Sequence, residues 1–133
     1  MKHAMKKHLM LITVLVTFAA AAPGQPVHKD IVRAFEAGDS KTLSGYFHAN
    51  LEMDILKENY MVSKNHATRI IQDFFNQNSP VSFNVEFEGD RDASRYAIGM
   101  LETKKGSFRV NLYFLSGDRS HIIYYLSIEK VQL

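Results

Sequence analysis

Cysteine is absent from this chain of 133 residues, and the absence excludes several classes of site at once. No disulfide bond can support the fold, so its stability must come from an apolar core. Zinc sites built on thiolates are excluded as well. Hydrophobic residues make up 46% of the sequence, which is enough to form the core of one domain of this length.

Motifs for common catalytic and cofactor sites are also missing. The sequence lacks Gly-x-Ser-x-Gly, and its seven glycines are scattered singly, so a glycine-rich phosphate loop is excluded. Residues 90–92 begin like a calcium loop, but Arg95 takes the position that requires glycine. The histidines after residue 22 show none of the short spacings typical of metal ligands; they are His28, His48, His66 and His121. We therefore predict no metal and no cofactor.

Long runs of one charge are missing too. The chain has 16 lysines and arginines against 14 acidic residues, and three of the lysines lie within the first seven residues. The rest of the chain is therefore close to neutral. A basic surface for nucleic acid or anionic lipid is not expected, and we do not predict nucleic acid as a partner.

The first 22 residues have the layout of a secretory signal peptide, with a basic start, an apolar run over residues 9–18 and four alanines. That run is too short for a membrane span, which needs about 20 residues. We expect cleavage after Ala21 or Ala22, and Ala21 is favoured because Pro23 directly after the cut would hinder a peptidase. The prediction is a single domain over residues 23–133, exported to the periplasm or secreted, and soluble. A lipid anchor at the junction is excluded because it would require a cysteine.

Periodicity predicts three helices in the first half of this domain. Val27, Ile31 and Phe35 recur at helical spacing, and Gly38 provides the usual helix end. Ser63 is expected to cap the last helix. A short second helix is predicted to carry Leu43, Tyr46 and Phe47.

Strands are predicted between the second and third helices and throughout the second half. Residues 51–55 and 60–62 form a hairpin around a turn at 57–59. Over residues 81–88 the apolar side chains alternate with polar ones, which predicts that Phe83 and Phe87 lie on the same face of the strand. Runs at 96–103, 108–115 and 122–131 follow, joined by short links with glycine or aspartate. Such links predict antiparallel hairpins. The order of elements predicts an α+β domain whose sheet wraps one face onto the helices.

This order of elements resembles the nuclear transport factor 2-like (cystatin-like) cone. More narrowly, the chain resembles an uncharacterised family, a domain of unknown function, of small exported bacterial proteins with that fold. The residues that carry the resemblance are Ala34, Phe35, Gly38, Asp39, Leu43, Tyr46, Phe47, Ser63, Lys64, Ala67, Asp73, Phe74, Phe75, Asn78, Pro80, Tyr96, Ile98, Gly99, Leu101, Thr103, Gly106, Phe108, Arg109, Val110, Leu126, Ile128 and Glu129. The resemblance implies three N-terminal helices packed on a curved antiparallel sheet of about six strands. It implies no activity, because none is assigned to that family. His66 stands where the family pattern has glutamine, and no role is carried over to it.

An enzymatic function would require a pocket inside the cone. Some cones use an aspartate base with a tyrosine or a protonated acid as oxyanion donor, as in ketosteroid isomerase. Asp54 with Tyr46 or Tyr60 is the nearest match in this sequence. Strand alternation, however, places Asp54 on the face opposite Met53 and Ile55, towards water if the apolar face is the inner one. We name the three as candidates and predict no catalytic residue.

The second face of the late strands is a candidate interface. If Val110 and Leu126 point inward, their neighbours along each strand point outward. The candidate interface residues are Arg109, Tyr113, Leu115, His121, Ile123 and Tyr125. Tyrosines and aliphatic side chains among polar groups are typical of an interface, although tyrosines also tolerate half exposure. The expected partners are a second copy of the chain or a small apolar or amphipathic ligand.

Three functions remain open from the sequence. The first is an exported, non-enzymatic domain that binds a small ligand or a protein. The second is an isomerase or dehydratase with a pocket inside the cone, and the third is a structural dimerisation module. The enzyme hypothesis fails if the interior is filled by aromatic side chains, for which the candidates are Phe35, Phe74, Phe83 and Phe108.

Overall fold

The computed structural model describes residues 26–92 and 94–132, and the predicted signal peptide lies outside the described residues. Three helices and six strands alternate along the chain. In order they are α1 (Lys29–Ala37), α2 (Ser40–Ser44), β1 (Phe47–Ile55), β2 (Glu58–Ser63), α3 (Lys64–Gln77), β3 (Pro80–Arg91), β4 (Ser94–Thr103), β5 (Gly106–Phe114), a single 3₁₀ turn (Gly117–Arg119) and β6 (Ile123–Lys130).

The predicted C-terminal end of the first helix and the predicted start of the third helix are confirmed. Gly38 ends α1 in the left-handed conformation, with φ of 67°. The Ser63 hydroxyl caps α3 by accepting a hydrogen bond from the His66 backbone N–H. The second helix is shorter than predicted, because it ends at Ser44 and Phe47 already pairs with Ile123 in the sheet.

All six strands belong to one curved sheet with the order β2-β1-β6-β5-β4-β3. Four of the five neighbouring strand pairs are antiparallel, as predicted, but β1 and β6 are parallel. The parallel pair places the first and last strands of the sequence side by side within the sheet. The three helices are not all N-terminal to the sheet, because β1 and β2 lie between α2 and α3. The α+β class and the six strands are confirmed.

The helices cover one face of the sheet, here called the inner face, and the core lies between them. Phe35 of α1 stacks on Phe83 of β3 at 4.7 Å between ring centroids. Phe74 of α3 meets Phe108 of β5 edge to face at 5.1 Å. All four rings are buried, and buried aliphatic side chains from β1, β4, β5 and β6 complete the core. The inside of the cone is therefore filled by its own aromatic side chains.

Two bulges change which residues reach the opposite, outer face. In β3 an extra residue between Val85 and Phe87 turns Phe87 outward, so that 53% of its surface is exposed. In β6 the extra residue is Tyr124, because Tyr113 pairs with Tyr125 while Phe114 pairs with Ile123. Ile123 is therefore fully buried, and the prediction that it faces outward is wrong.

In the part of the chain that the structure describes, no helix combines the length and the apolar character needed to cross a membrane.

Candidate functional site

Four aromatic side chains form a continuous row across the outer face of β3 to β6. Their neighbouring ring centroids lie 5.8 Å apart for Phe87 and Tyr96, 6.0 Å for Tyr96 and Tyr113, and 5.2 Å for Tyr113 and Tyr125. Cross-strand pairing explains the row, because Tyr96 lies opposite Tyr113 and Tyr113 opposite Tyr125. We call these four residues the aromatic row.

An open groove of about 880 Å³ borders the row at its Tyr113 and Tyr125 end. Outer-face side chains of β1, β5 and β6 line it, together with the turn between β1 and β2 and the end of β6. The lining residues are Asp54, Leu56, Lys57, Asn111, Tyr113, Tyr125, Ser127, Ile128, Glu129, Lys130 and Gln132. This volume is in the range of small-molecule binding sites.

Polar contacts inside the groove hold its surface in one arrangement. The Asn111 side-chain amide donates to Ser127 Oγ at 2.8 Å and to Glu129 Oε1 at 3.2 Å. Ser127 is buried although it belongs to the outer face. Burial raises the pKa of Tyr125, and the nearby carboxylates of Asp54 and Glu52 act in the same direction, while a hydrogen bond with Ser127 opposes them. The Tyr125 hydroxyl is therefore neutral and sits in a negative field.

The turn between β1 and β2 has an unusual backbone at the edge of this groove. Leu56 and Lys57 both have positive φ, 52° and 76°, in a two-residue turn that normally carries asparagine and glycine. For residues with a Cβ this conformation costs about 1–2 kcal/mol each. The predicted turn at residues 57–59 is thus displaced by one residue. The strain presents Leu56 to the groove with 44% of its surface exposed.

Relieving this strain is expected to stabilise the protein. Replacing the turn by Leu56→Asn with Lys57→Gly should raise the free energy of unfolding by about 1–2 kcal/mol, because both new residues accept positive φ. The measurement is urea denaturation followed by circular dichroism. The matched control is Lys104→Asn with Lys105→Gly in the β4–β5 link, where neither lysine has positive φ. Equal stabilisation by both pairs would contradict the strain.

The three catalytic candidates do not converge on one site. Asp54 is half-buried on the outer face of β1, the predicted side. The Tyr60 hydroxyl donates to Glu58 on edge strand β2, and this hydrogen bond raises the pKa of Tyr60. The Tyr46 hydroxyl donates to Asp30 Oδ2 at 3.1 Å, and burial with this bond raises the pKa of Tyr46. The structure does not bring Asp54 together with either tyrosine.

Tyr46 belongs instead to a small polar cluster beside the start of α1. Its ring lies 5.2 Å from the ring of His28 and 5.9 Å from that of His121. The imidazole of His28 also caps α1 by accepting the Asp30 backbone N–H at 3.1 Å. His121, which was predicted to belong to the candidate interface, therefore lies beside Tyr46.

The remaining predicted interface residues are divided. Arg109 is exposed on the outer face, opposite Met100 and Glu129. Leu115 is half-buried just after β5, where its backbone N–H bonds to the carbonyl of Ile122. Only Tyr113 and Tyr125 line the groove.

Sequence reasoning missed the contributions of Phe87, Tyr96 and Leu56. The bulge that exposes Phe87 leaves no trace in the alternating pattern, and the strained turn lacks the usual glycine signal. The outward position of Tyr96 could have been predicted from its alternation with buried Ala97. Which rings lie next to it in the row, however, depends on the strand order. Over residues 26–92 and 94–132, no three His, Asp or Glu side chains gather as metal ligands.

Solved structures resemble this fold over most of the chain. A DUF4783 family protein from Bacteroides ovatus is 33% identical, with a TM-score of 0.75 over 83% of this chain and 100% of that one. One from Bacteroides uniformis is 30% identical, with a TM-score of 0.74 over 81% and 100% of the two chains. A domain of unknown function with a cystatin-like fold from Nostoc punctiforme is 12% identical, with a TM-score of 0.61 over 80% and 74% of the two chains, and shows the fold alone.

The predicted nuclear transport factor 2-like (cystatin-like) fold is therefore confirmed. No curated protein matches the sequence. A family model described as a domain of unknown function, DUF4783, matches residues 28–129, which include all three helices and nearly all of the sheet. The chain belongs to the DUF4783 family.

Proposed function

We propose that this protein is a non-enzymatic domain that binds a small amphipathic ligand on the outer face of its sheet. One observation carries the proposal: a groove of about 880 Å³ with two tyrosine rings opens on that face. Such a combination of concave shape, aromatic surface and a few polar groups is typical of ligand sites. The half-buried tyrosines offer apolar area and a hydroxyl at low entropic cost.

The filled interior supports this proposal over the isomerase alternative. Four aromatic side chains fill the cone and are all buried. They are in contact as two pairs, Phe35 with Phe83 and Phe74 with Phe108. An acid–base pair would need to meet a substrate inside, yet Asp54 points away from that space. The likeness to a putative ketosteroid isomerase from Kribbella flavida, at 7% identity, concerns the fold only.

Dimerisation through the outer face is a second candidate, favoured by Phe87. This ring is 53% exposed at the β3 end of the aromatic row, where a second copy of the chain could cover it. Phe87 does not line the groove. Substitutions at Phe87 and at Tyr125 therefore separate dimerisation from ligand binding.

Export belongs to the proposal as well. The ligand would be met in the periplasm or outside the cell, after residues 1–21 or 1–22 are removed. This rests on the basic, apolar and small-residue segments of the leader.

Native mass spectrometry of the protein from its own host, purified without denaturation, tests these proposals together. The expected spectrum shows a monomer without its leader that carries a small non-covalent adduct. Tyr125→Ala should remove the adduct, because the ring lines the groove. Phe87→Ala should retain it, because this matched truncation lies on the same face outside the groove.

Other spectra would contradict the proposal. A doubled mass that Phe87→Ala returns to the monomer would favour dimerisation. A bare monomer with no adduct, or an adduct that both variants retain, would overturn ligand binding on this face. A mass that includes residues 1–21 would contradict export.

A further inference from the structure

The Asn111 side chain fixes the direction of the hydrogen bonds in the groove. An ionised carboxylate can only accept hydrogen bonds, so Asn111 must turn its NH2 group towards Glu129, whose Oε1 lies 3.2 Å away. The same NH2 group lies 2.8 Å from Ser127 Oγ. Ser127 Oγ is therefore the acceptor of this second bond.

The Ser127 hydroxyl passes this direction on to Tyr125. Ser127 is only 5% exposed, and a buried hydroxyl group needs an acceptor for its own proton. Burial raises the pKa of Tyr125, but the hydrogen bond with Ser127 acts to lower it. A hydrogen bond lowers the pKa of a phenol when it is donated to the phenol oxygen. The proton of Ser127 is therefore donated to Tyr125 Oη.

The Tyr125 hydroxyl is left with a proton to donate into the groove. Its oxygen accepts from Ser127, while the carboxylates of Asp54 and Glu52 act on it through their charge and not through a hydrogen bond. The half-buried ring of Tyr125 lines the groove. A molecule that enters the groove therefore meets this hydroxyl group as a hydrogen-bond donor.

The charges that line the groove do not select a ligand of one sign, because carboxylates and ammonium groups are both present. The charged lining residues are Asp54, Lys57, Glu129 and Lys130. Close to the Tyr125 hydroxyl, however, the field is negative. Glu52 lies directly opposite Tyr125 across the β1–β6 pair, and after burial the charges of Asp54 and Glu52 are the further causes that raise the pKa of Tyr125. An acceptor with a full negative charge is disfavoured at this hydroxyl.

We propose that the groove binds a small amphipathic molecule through an uncharged acceptor oxygen, as in a ketone, an ether or an alcohol. The oxygen accepts the proton of the Tyr125 hydroxyl, and the apolar body lies against exposed Leu56 at the edge of the groove. A polar group that only donates is disfavoured, because it would face the proton of Tyr125. This inference rests on the proposed ligand-binding function and names the ligand class for the same site.

Isothermal titration calorimetry with three probes of nearly the same shape tests the polarity of the site. The probes are neutral 4-phenylbutan-2-one, cationic 1-methyl-3-phenylpropylammonium and anionic 3-phenylpropanoate. The ketone only accepts hydrogen bonds, and the ammonium group only donates them. We expect the ketone to bind about fivefold more tightly than either ion, which is the factor that one net hydrogen bond provides.

Tyr125→Phe removes the hydroxyl group and keeps the ring in the groove. It should weaken binding of 4-phenylbutan-2-one about fivefold and leave binding of the ammonium probe unchanged. Tyr96→Phe is the matched control, because it removes the same group from another ring of the aromatic row, outside the groove. Circular dichroism verifies that each variant is folded.

Ser127→Ala tests the positioning role of the buried hydroxyl. Without the proton of Ser127, the Tyr125 oxygen is free to accept a hydrogen bond from a ligand. The preference for the ketone over the ammonium probe should therefore fall towards equal binding. A loss of affinity that is the same for both probes would show that Ser127 only supports the groove, and would contradict the chain of hydrogen bonds.

The outcomes separate this inference from the proposed function. Equal binding of the three probes, lost in Tyr125→Ala, would overturn the donor role of Tyr125 and keep the groove as a ligand site. Binding of the ketone that Tyr125→Phe leaves unchanged would overturn it as well. No binding of the ketone at concentrations up to about 10 mM would also overturn the inference. In that case the adduct seen by native mass spectrometry decides the proposed function separately.

Discussion

Phe83→Ala is expected to remove about 3–5 kcal/mol of the free energy of unfolding. Phe83 is 2% exposed, stacks on Phe35 of α1 and lies against the backbone of Gly99 in β4. Truncation would leave a cavity that the surrounding helix and strands can fill only in part. A domain of this size has about 5–15 kcal/mol in total, so the variant would lose a large fraction of its stability.

Phe87→Ala is the matched control, because it is the same substitution on the same strand. Its ring is 53% exposed on the outer face, and surface truncations usually change stability by about 0.5 kcal/mol. Urea denaturation followed by circular dichroism measures both variants. Similar losses at the two positions would mean that the bulge in β3 does not separate an inner Phe83 from an outer Phe87.

Gly99→Ala is expected to lower the free energy of unfolding by about 1–3 kcal/mol, the second-largest loss after that of Phe83→Ala. A Cβ at this position would overlap Phe83 Cζ and would lie 2.6 Å from Phe83 Cε1 and 3.2 Å from the carbonyl oxygen of Asn84. The Phe83 ring cannot withdraw, because Phe35 covers it at 4.7 Å. The added methyl group must therefore push apart the helix and the sheet.

Two further variants test this explanation. Gly89→Ala on the adjacent strand should cost less, because its Cβ meets the half-buried ring of Tyr96 at 3.0 Å, and that ring can swing towards solvent. Phe83→Leu, whose side chain is shorter, should reduce the cost of Gly99→Ala. The free energies of unfolding of the two single variants would then not add. Additive losses would contradict a close approach between Gly99 and Phe83.

The sequence predicted the elements whose signals are local. Gly38 could end α1 because only its own backbone conformation is involved, and Ser63 could cap α3 through its own hydroxyl. The inward side of β5 followed from alternation, because that strand pairs with β4 without interruption. The outward position of Asp54 followed in the same way.

The errors arose where tertiary pairing overrides local pattern. Phe87 and Ile123 changed faces because a bulge inserts one residue and reverses the alternation beyond it. Phe47 left the predicted second helix because β6 provides a pairing partner for it. The groove was not predictable for a related reason. It exists only where the β1–β2 turn meets the end of β6, and strand order alone creates that meeting.

Nuclear magnetic resonance mapping of a bound probe tests the central claim, that recognition occurs outside a filled cone, most directly. Amide chemical shifts are followed while 2-phenylethanol, a small amphipathic molecule, is added to the uniformly labelled protein. We predict that the shifted amides cluster at Asp54, Asn111, Tyr125 and Ser127, while those of the buried Phe35 and Phe83 stay unchanged. A cluster of shifts at Phe35, Phe74, Phe83 and Phe108 would place the ligand inside the cone and contradict the account.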